Sequence, residues 1–342
     1  MAERDRPALI LAPMDGITDA AMRAFQGAQG AFTGAVSEFV RVSNQPLPRK
    51  VFARDVPELA TGCRTETGLH VQVQILGGDP DCMAASALNA VSAGADSLDI
   101  NFGCPAPTVN RNDGGASILR CPNRVFEITR AVRQAVPPEI PVSVKVRLGW
   151  DTIDAIHANA EMAERAGAAW ITIHARTKTQ GYSPPVYWEP VAQVRRSASI
   201  PIVANGDIWT LDDLERCESM TGCRHFMIGR PALADPRFPH LAAQHLGLAK
   251  RSPIPSTDWV ALFEGLLAFS DRFYGPGNPH SLNRLKQWLA LASRFGRFEG
   301  FDNLKRIPDR RGFLDALKAS QAPSDFISDP SAASRRPVAS VG

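Results

Sequence analysis

Cys104 sits in Asn101-Phe-Gly-Cys-Pro-Ala-Pro-Thr-Val109, a turn rich in prolines and glycines that follows a strand-like run and leads on to Gly114-Gly115. A turn so restricted holds one reactive side chain in a fixed place. With no His or Cys at zinc-binding spacing, the thiol is not a metal ligand. A thiol with a reference pKa of about 8.5 is mostly protonated near neutrality, so it serves as a general acid as readily as a nucleophile. A buried structural cysteine is the common alternative for any single Cys, and the position in Gly-Cys-Pro at a strand end argues against it. Lys145, long and cationic, could form a Schiff base or stabilise negative charge on a bound ring. Asn205-Gly-Asp207 and Gly229-Arg230 each follow a strand, where glycine lets backbone N–H groups approach an anion and Arg230 adds a charged fork. Pro13-Met-Asp-Gly16 would bring a further turn to the same ligand.

The elements that must position these groups follow a βα alternation through the first 240 residues. Strands are expected at Ala8–Ala12, Ala35–Phe39, His70–Leu76, Ser97–Asn101, Val142–Arg147, Trp170–His174, Ile202–Asn205 and His225–Ile228. Amphipathic runs lie between most of them: Pro80–Ala93, Asn123–Val136, Thr152–Ala166, Trp188–Ser197 and Leu211–Met220. Eight such units predict a closed parallel (β/α)8 TIM barrel. An open doubly wound sheet is disfavoured because no Gly-x-Gly-x-x-Gly follows the first strand.

Within the strands, polar and aliphatic residues alternate, as in His70-Val-Gln-Val-Gln-Ile75 and Val142-Ser-Val-Lys-Val-Arg147. The aliphatic face must meet the helices, so Gln74, Asn101, Lys145, Arg147 and His174 face inward or toward the mouth. Buried polar groups are costly without partners, and so many together imply a polar ligand at the C-terminal end of the barrel.

The 342 residues are 44% hydrophobic and 21% charged, enough for a large α/β domain and a smaller one. No apolar run is long enough to cross a bilayer, and no signal peptide precedes the first strand. Six cysteines without a Cys-x-x-Cys pair fit free thiols in a cytoplasmic protein. The net charge of +3 is uneven: from Arg251 onward there are 13 Lys/Arg against 9 Asp/Glu, and between Arg284 and Arg311 8 against 3. A basic segment on a near-neutral body suits a polyanionic partner, although a solvated helical face explains the charge equally well. Expected domains are a barrel over 1–245, a small all-helical bundle over 255–320 and a disordered tail over 321–342. Pro253-Ile-Pro255 is the expected linker, Asp258–Phe273 and Ser281–Phe295 are expected helices, and a third ends over Asp315–Ser320.

Taken in order, Leu11-Ala-Pro-Met-Asp-Gly16, Gln72-Val-Gln74, Asp99-Ile-Asn-Phe-Gly-Cys-Pro105, Gly114-Gly115, Val144-Lys-Val-Arg147, Ile173-His-Ala-Arg-Thr177, Ala204-Asn-Gly-Asp207 and Met227-Ile-Gly-Arg230 resemble the flavin-dependent tRNA-dihydrouridine synthases. Glu38-Phe-Val-Arg-Val42, Arg176-Thr-Lys-Thr-Gln-Gly-Tyr182 and Arg284-Leu-Lys-Gln-Trp288 are most similar to bacterial subfamily C, which acts on uridine 16 of the tRNA D loop. The resemblance implies a barrel carrying FMN and a helical domain that grips tRNA. It implies FMN contacts at Pro13, Met14, Asp15, Gln74, Lys145, His174, Asn205, Gly206, Asp207, Gly229 and Arg230. It also implies NADPH (or NADH) as reductant, hydride delivery to C6 of the uracil, and Cys104 as proton donor to C5. Asn101 and Arg147 would touch the base or its surroundings, and Arg41, Arg284 and Lys286 would contact the RNA. A monomer is expected, with neither metal nor membrane. One departure is that Ala106-Pro-Thr-Val lacks the lysine often found after Gly-Cys-Pro. The competing assignments are uridine 20/20a specificity, a small-molecule flavin dehydrogenase of the dihydroorotate or dihydropyrimidine type, and a tRNA-binding protein with a vestigial redox site.

Overall fold

The computed structural model describes residues 2, 6–248, 257–295 and 298–321. The expected linker Pro253–Pro255, the domain start at 255 and the tail beyond 321 lie outside the described residues.

Among the described residues nine strand segments form one all-parallel sheet: β1 Ala8–Leu11, β2 Gly34–Val36, β3 Val40–Arg41, β4 His70–Leu76, β5 Leu98–Phe102, β6 Val142–Arg147, β7 Ile171–His174, β8 Ile202–Asn205 and β9 His225–Ile228. Their order is β2-β1-β9-β8-β7-β6-β5-β4-β3, and β2 also pairs with β4, which closes the ring. β2 pairs with His70–Gln72 and β3 with Ile75–Leu76, so the two act as one staggered strand of an eight-stranded TIM barrel.

The expected strand Ala35–Phe39 is therefore interrupted. At the break, Ser37 Oγ accepts the backbone N–H of Gln74 at 3.0 Å, taking the place of a ladder carbonyl. Glu38 turns its carboxylate to the N–H of Ile17 at 2.9 Å, tying the interruption to the loop after β1. A polar side chain that satisfies backbone groups is what lets a buried strand break at Ser37-Glu38.

The alternation of faces is reproduced in the packing. Leu9, Leu11, Val71, Val73, Ile75, Leu98, Ile100, Val144, Ile171 and Ile173 belong to the core shared with the surrounding helices. Inside the barrel a small apolar plug of Ala8, Ile10, Val36, Val203 and Met227 is separate from it. Above the plug the interior is polar, with Gln72, Gln74, Asp99, Asn101, Ser143, Thr172 and His174 all buried. Helices Pro80–Ser92, Pro122–Ala135, Ala155–Arg165, Glu189–Ser197 and Leu211–Thr221 cover the outside. Asp79 and Thr210 cap two of them, accepting from Cys82 N at 2.7 Å and Asp213 N at 3.2 Å.

Helices Trp259–Tyr274, Pro279–Arg294, Phe301–Leu304 and Arg310–Gln321 form a helical unit around Phe263, Leu267, Trp288, Leu289 and Phe313. Its core also takes in Ala21, Met22, Phe25 and Leu233 from the barrel. Phe25 and Trp288 meet edge to face with centroids 5.4 Å apart, and Trp288 Nε1 donates to Leu233 O at 2.7 Å. A continuous apolar core fixes the helical unit beside the barrel mouth.

Candidate active site

A cavity of about 530 Å³ opens at the C-terminal ends of the strands. Its wall includes Pro13, Met14 and Asp15 after β1, Asn101 and Cys104 from the end of β5, and Lys145 and Arg147 from β6. His174 from β7, Asn205, Gly206 and Asp207 after β8, and Gly229 and Arg230 after β9 complete the ring. Leu291 reaches in from the helical unit. Gln74 is fully buried and lies among the polar groups beneath the cavity, bonded to Asp99 and Asn101.

The electrostatics follow from burial. Lys145 donates to Asn205 Oδ1 at 3.1 Å, and Asn205 Nδ2 donates to Met227 O at 2.8 Å, which sets the amide's orientation. Burial, reinforced by Arg147, lowers the Lys145 ammonium to about 8. Burial and the surrounding cations Arg147, Lys145, Arg176 and Arg230 hold His174 well below its ordinary value, so its ring is neutral. Burial, with the nearby Asp15 carboxylate, raises the Cys104 thiol, so it keeps its proton at neutral pH. Burial pushes the Asp99 carboxyl up to about 6.

The loop carrying Cys104 is held from several sides. Asn101 Oδ1 accepts the backbone N–H groups of Gly103 and Cys104, each at 2.9 Å. Asn110 Nδ2 donates to Cys104 O at 3.1 Å and to Ala106 O at 2.7 Å. Gly115 adopts φ 60°, and a Cβ there would stand 2.8 Å from Cys104 O. Arg147 is 2% exposed and binds three carbonyls: Gly103 at 2.9 Å, Thr177 at 3.0 Å and Gly181 at 2.7 Å. It thus ties the cysteine loop to the 177–181 loop.

On the opposite side, Arg176 is fully buried and grips both oxygens of Asp207, with Nη1 at 2.9 Å from Oδ1. The pair holds Asp207 at φ 49°, which L residues other than Asn and Asp seldom adopt. Arg230 stands 3.6 Å from Asp207 and lies over the rings of Tyr182 (4.5 Å) and Trp209 (5.2 Å). Trp209 in turn packs on Phe295, centroids 4.2 Å apart, linking this wall to the helical unit. Phe39, Trp209 and Leu291 also line the cavity and were not among the expected site residues. The aromatic directly beyond Asn205-Gly-Asp207, two residues after Asp207, is the signal that could have identified Trp209.

The three residues expected to contact RNA lie in different settings. Arg41 is half-buried at the rim, 3.4 Å from Thr108 O in the loop after Cys104. Lys286 donates to Ile307 O at 2.6 Å within the helical unit. Arg284 is 3% exposed and is bound to Asp19 at 2.8 Å, so its guanidinium is spent inside the protein and presents no RNA-facing surface.

The model of the dihydrouridine synthase (Dus) family matches residues 10–264. The chain belongs to the dihydrouridine synthase family. Among the synthases it is similar to the tRNA-dihydrouridine(16) synthase of Shewanella oneidensis, with 42% identity over 287 residues, 84% of this chain and 89% of that protein. The enzyme of the same name from Neisseria meningitidis serogroup A is 40% identical over 310 residues, 90% of each chain. A solved structure of 2-naphthoyl-CoA reductase with 2-naphthoyl-CoA superposes with a TM-score of 0.55 at 11% identity, covering 70% of this chain and about half of that one. That likeness shows the shared barrel. The family match begins within β1, runs over every later strand of the barrel and ends inside helix Trp259–Tyr274 of the helical unit. Among the described residues no helix is long and apolar enough to cross a membrane, and no group of three His, Cys, Asp or Glu could hold a metal ion. The six cysteines are free thiols.

Proposed function

We propose that the protein reduces the C5=C6 bond of a uridine in the D loop of tRNA, at position 16, with FMN held in the cavity and NADPH (or NADH) as reductant. The observation that carries this reading is the protonated, loop-fixed Cys104 in the same cavity wall as Lys145, in a chain whose relatives bear the name tRNA-dihydrouridine(16) synthase.

The cavity suits a flavin phosphate and ring. His174 Nδ1 is buried with no hydrogen-bond partner among the described residues, leaving a polar atom for a ligand. Gly229 leaves room that a Cβ would close, since it would stand 3.0 Å from Met14 Sδ and 3.2 Å from Ala12 Cβ. Arg230 and the turn at Gly206 provide a cation and an open backbone for a phosphate. Lys145, Pro13, Met14 and Asp15 line the same cavity and would help to hold the ring.

Held by these residues, FMN would supply the hydride for C6 of the uracil. Cys104 delivers the proton to C5, and its raised pKa keeps the thiol loaded at neutral pH. Lys145 stabilises negative charge beside it and Asn101 fixes the loop that aims the thiol. The uridine must leave its stack to enter, at a cost of a few kcal/mol that contacts with the folded tRNA offset. Arg41 at the rim and Lys286 on the helical unit serve those contacts. Arg284 serves them indirectly by seating the helical unit on the barrel.

The test is reconstitution with FMN followed by NADPH-driven turnover on an unmodified tRNA transcript, with free uridine and dihydroorotate as comparison substrates. Dihydrouridine at position 16 alone supports the reading. Turnover of the free pyrimidine in place of tRNA, or a protein that takes up no flavin, overturns it.

A further inference from the structure

Beneath the cavity a line of hydrogen bonds runs across three strands and ends on the backbone of Cys104. Gln72 Nε2 donates to Ser143 Oγ at 3.0 Å, and Ser143 Oγ donates to Asp99 Oδ1 at 2.5 Å. From the other side Gln74 Nε2 donates to Asp99 Oδ2 at 2.7 Å. That leaves Gln74 Oε1 to accept from Asn101 Nδ2 at 2.9 Å, and Asn101 Oδ1 to accept from the N–H groups of Gly103 and Cys104. The strand register brings them together: Gln74 pairs across with Asp99, and Asp99 with Ser143.

Every bond in this line has one direction. A primary amide can turn either way, and its two ends are nearly the same size. A group that only accepts, such as an ionised carboxylate, or only donates, such as a backbone N–H, fixes which way it turns; Asp99 does so at one end of this line and the N–H groups of Gly103 and Cys104 do so at the other. Gln72 shows the bias: both its contacts, Ser143 and Leu98 O, use Nε2, and its Oε1 is buried without a partner among the described residues. Asp99 is 2% exposed, so water does not compete for its oxygens.

We propose that Asp99 is a positioning residue that sets the polarity of Gln74 to match the one the Gly103 and Cys104 N–H groups impose on Asn101, so that the Asn101 amide stays anchored on Gln74 and holds the Cys104 loop in place. The proposal rests on Cys104 being the proton donor of the reaction proposed above. It assigns to Asp99, Gln74 and Ser143 a part that contact with a ligand does not require. Reversing the polarity at both ends should preserve the line. In Asp99→Asn the new amide donates to Gln74 Oε1, and in Asn101→Asp the carboxylate accepts from Gln74 Nε2 and still accepts from Gly103 and Cys104. Asn101→Asp alone leaves Gln74 between two carboxylates, so acceptors meet whichever way its amide turns, whereas Asp99→Asn alone can still accept from Gln74 Nε2 through its Oδ1; the two changes together restore complementarity.

The experiment follows alkylation of Cys104 by iodoacetamide, site by site by mass spectrometry, with exposed Cys121 as the internal reference. It is run on the full-length protein without turnover, so that it reads the loop and not uridine reduction. Losing the anchor that holds the loop should raise the Cys104 rate about three- to tenfold in Asn101→Asp, and less in Asp99→Asn, whose amide can still accept from Gln74. The double variant should return close to the wild-type rate. An unchanged rate in Asn101→Asp, or a double variant no slower than Asn101→Asp, overturns the proposal. If Asn101→Asp does not fold, Gln74→Met, which breaks the line at similar volume, must raise the rate, and an unaltered rate there overturns it equally. A protein that shows the reversal effect but reduces no tRNA uridine would leave the positioning intact and sink the functional reading alone.

Discussion

Arg284, near the start of helix Pro279–Arg294, brings Nε and Nη2 to 3.1 and 2.8 Å from one oxygen of Asp19, the residue that caps helix Ala20–Gln29. This pair joins the helical unit to the barrel beside their shared apolar core. Burial works against the Asp19 carboxylate, but Arg284, the Met22 amide and His280 outweigh it and hold the carboxyl below its ordinary 3.8. A depressed carboxyl contributes stability that is complete above that ordinary value and lost as pH falls through the folded value.

Removing one partner of such a pair leaves a buried charge uncompensated. Arg284→Met should therefore destabilise the protein by about 3–5 kcal/mol. Urea unfolding at neutral pH checks this, and repeating it near pH 3 should narrow the gap from wild type. An equal loss at both pH values would mean that packing, not charge, is what the arginine contributes.

Lys145 gives a second prediction, with the opposite pH sense. Its folded value of about 8 lies below the ordinary 10.5, so the unfolded chain binds that proton more tightly. Stability then rises as pH climbs from about 8 toward 10.5, and below 8 the buried cation costs stability. Lys145→Met should stabilise the flavin-free protein at pH 7 by on the order of 1–3 kcal/mol, with the gain shrinking toward pH 10. The same variant should bind FMN more weakly. Thermal midpoints at the two pH values and a flavin titration read both effects; a lower midpoint at pH 7 would contradict them.

The barrel and most of its mouth were legible because strand alternation is a local signal. Lys145, Arg147 and His174 end strands whose aliphatic partners pack on helices, and their inward placement follows from a period of two. The break at Ser37-Glu38 was not legible, since it depends on side chains meeting Gln74 and Ile17 from distant segments. Arg284 illustrates the same limit: a basic residue off a helix's apolar stripe looks solvated until Asp19, 265 positions away, is brought against it. Gln74 was placed on the correct face, yet its partners at Asp99 and Asn101 depend on cross-strand register.

Arg41 stands at the rim beside the loop after Cys104, where a polyanion would pass. Arg41→Ala should weaken tRNA binding and lower the slope of log affinity against log salt by about 0.7–0.9, the release of one counterion. Filter binding at several salt concentrations measures it. An unchanged slope would place Arg41 outside the RNA path.

In the proposed reaction Cys104 protonates a tRNA uridine. The most direct measurement maps dihydrouridine in tRNA from a strain that lacks the gene and any redundant enzyme, complemented with wild type or with Cys104→Ala. The purified variant should still be yellow with FMN. Wild type should restore dihydrouridine at position 16, and Cys104→Ala should restore little or none, a loss of about 10²-fold or more in rate if general acid catalysis is removed. Full restoration by Cys104→Ala, or no change at position 16 with the wild-type gene, would contradict it.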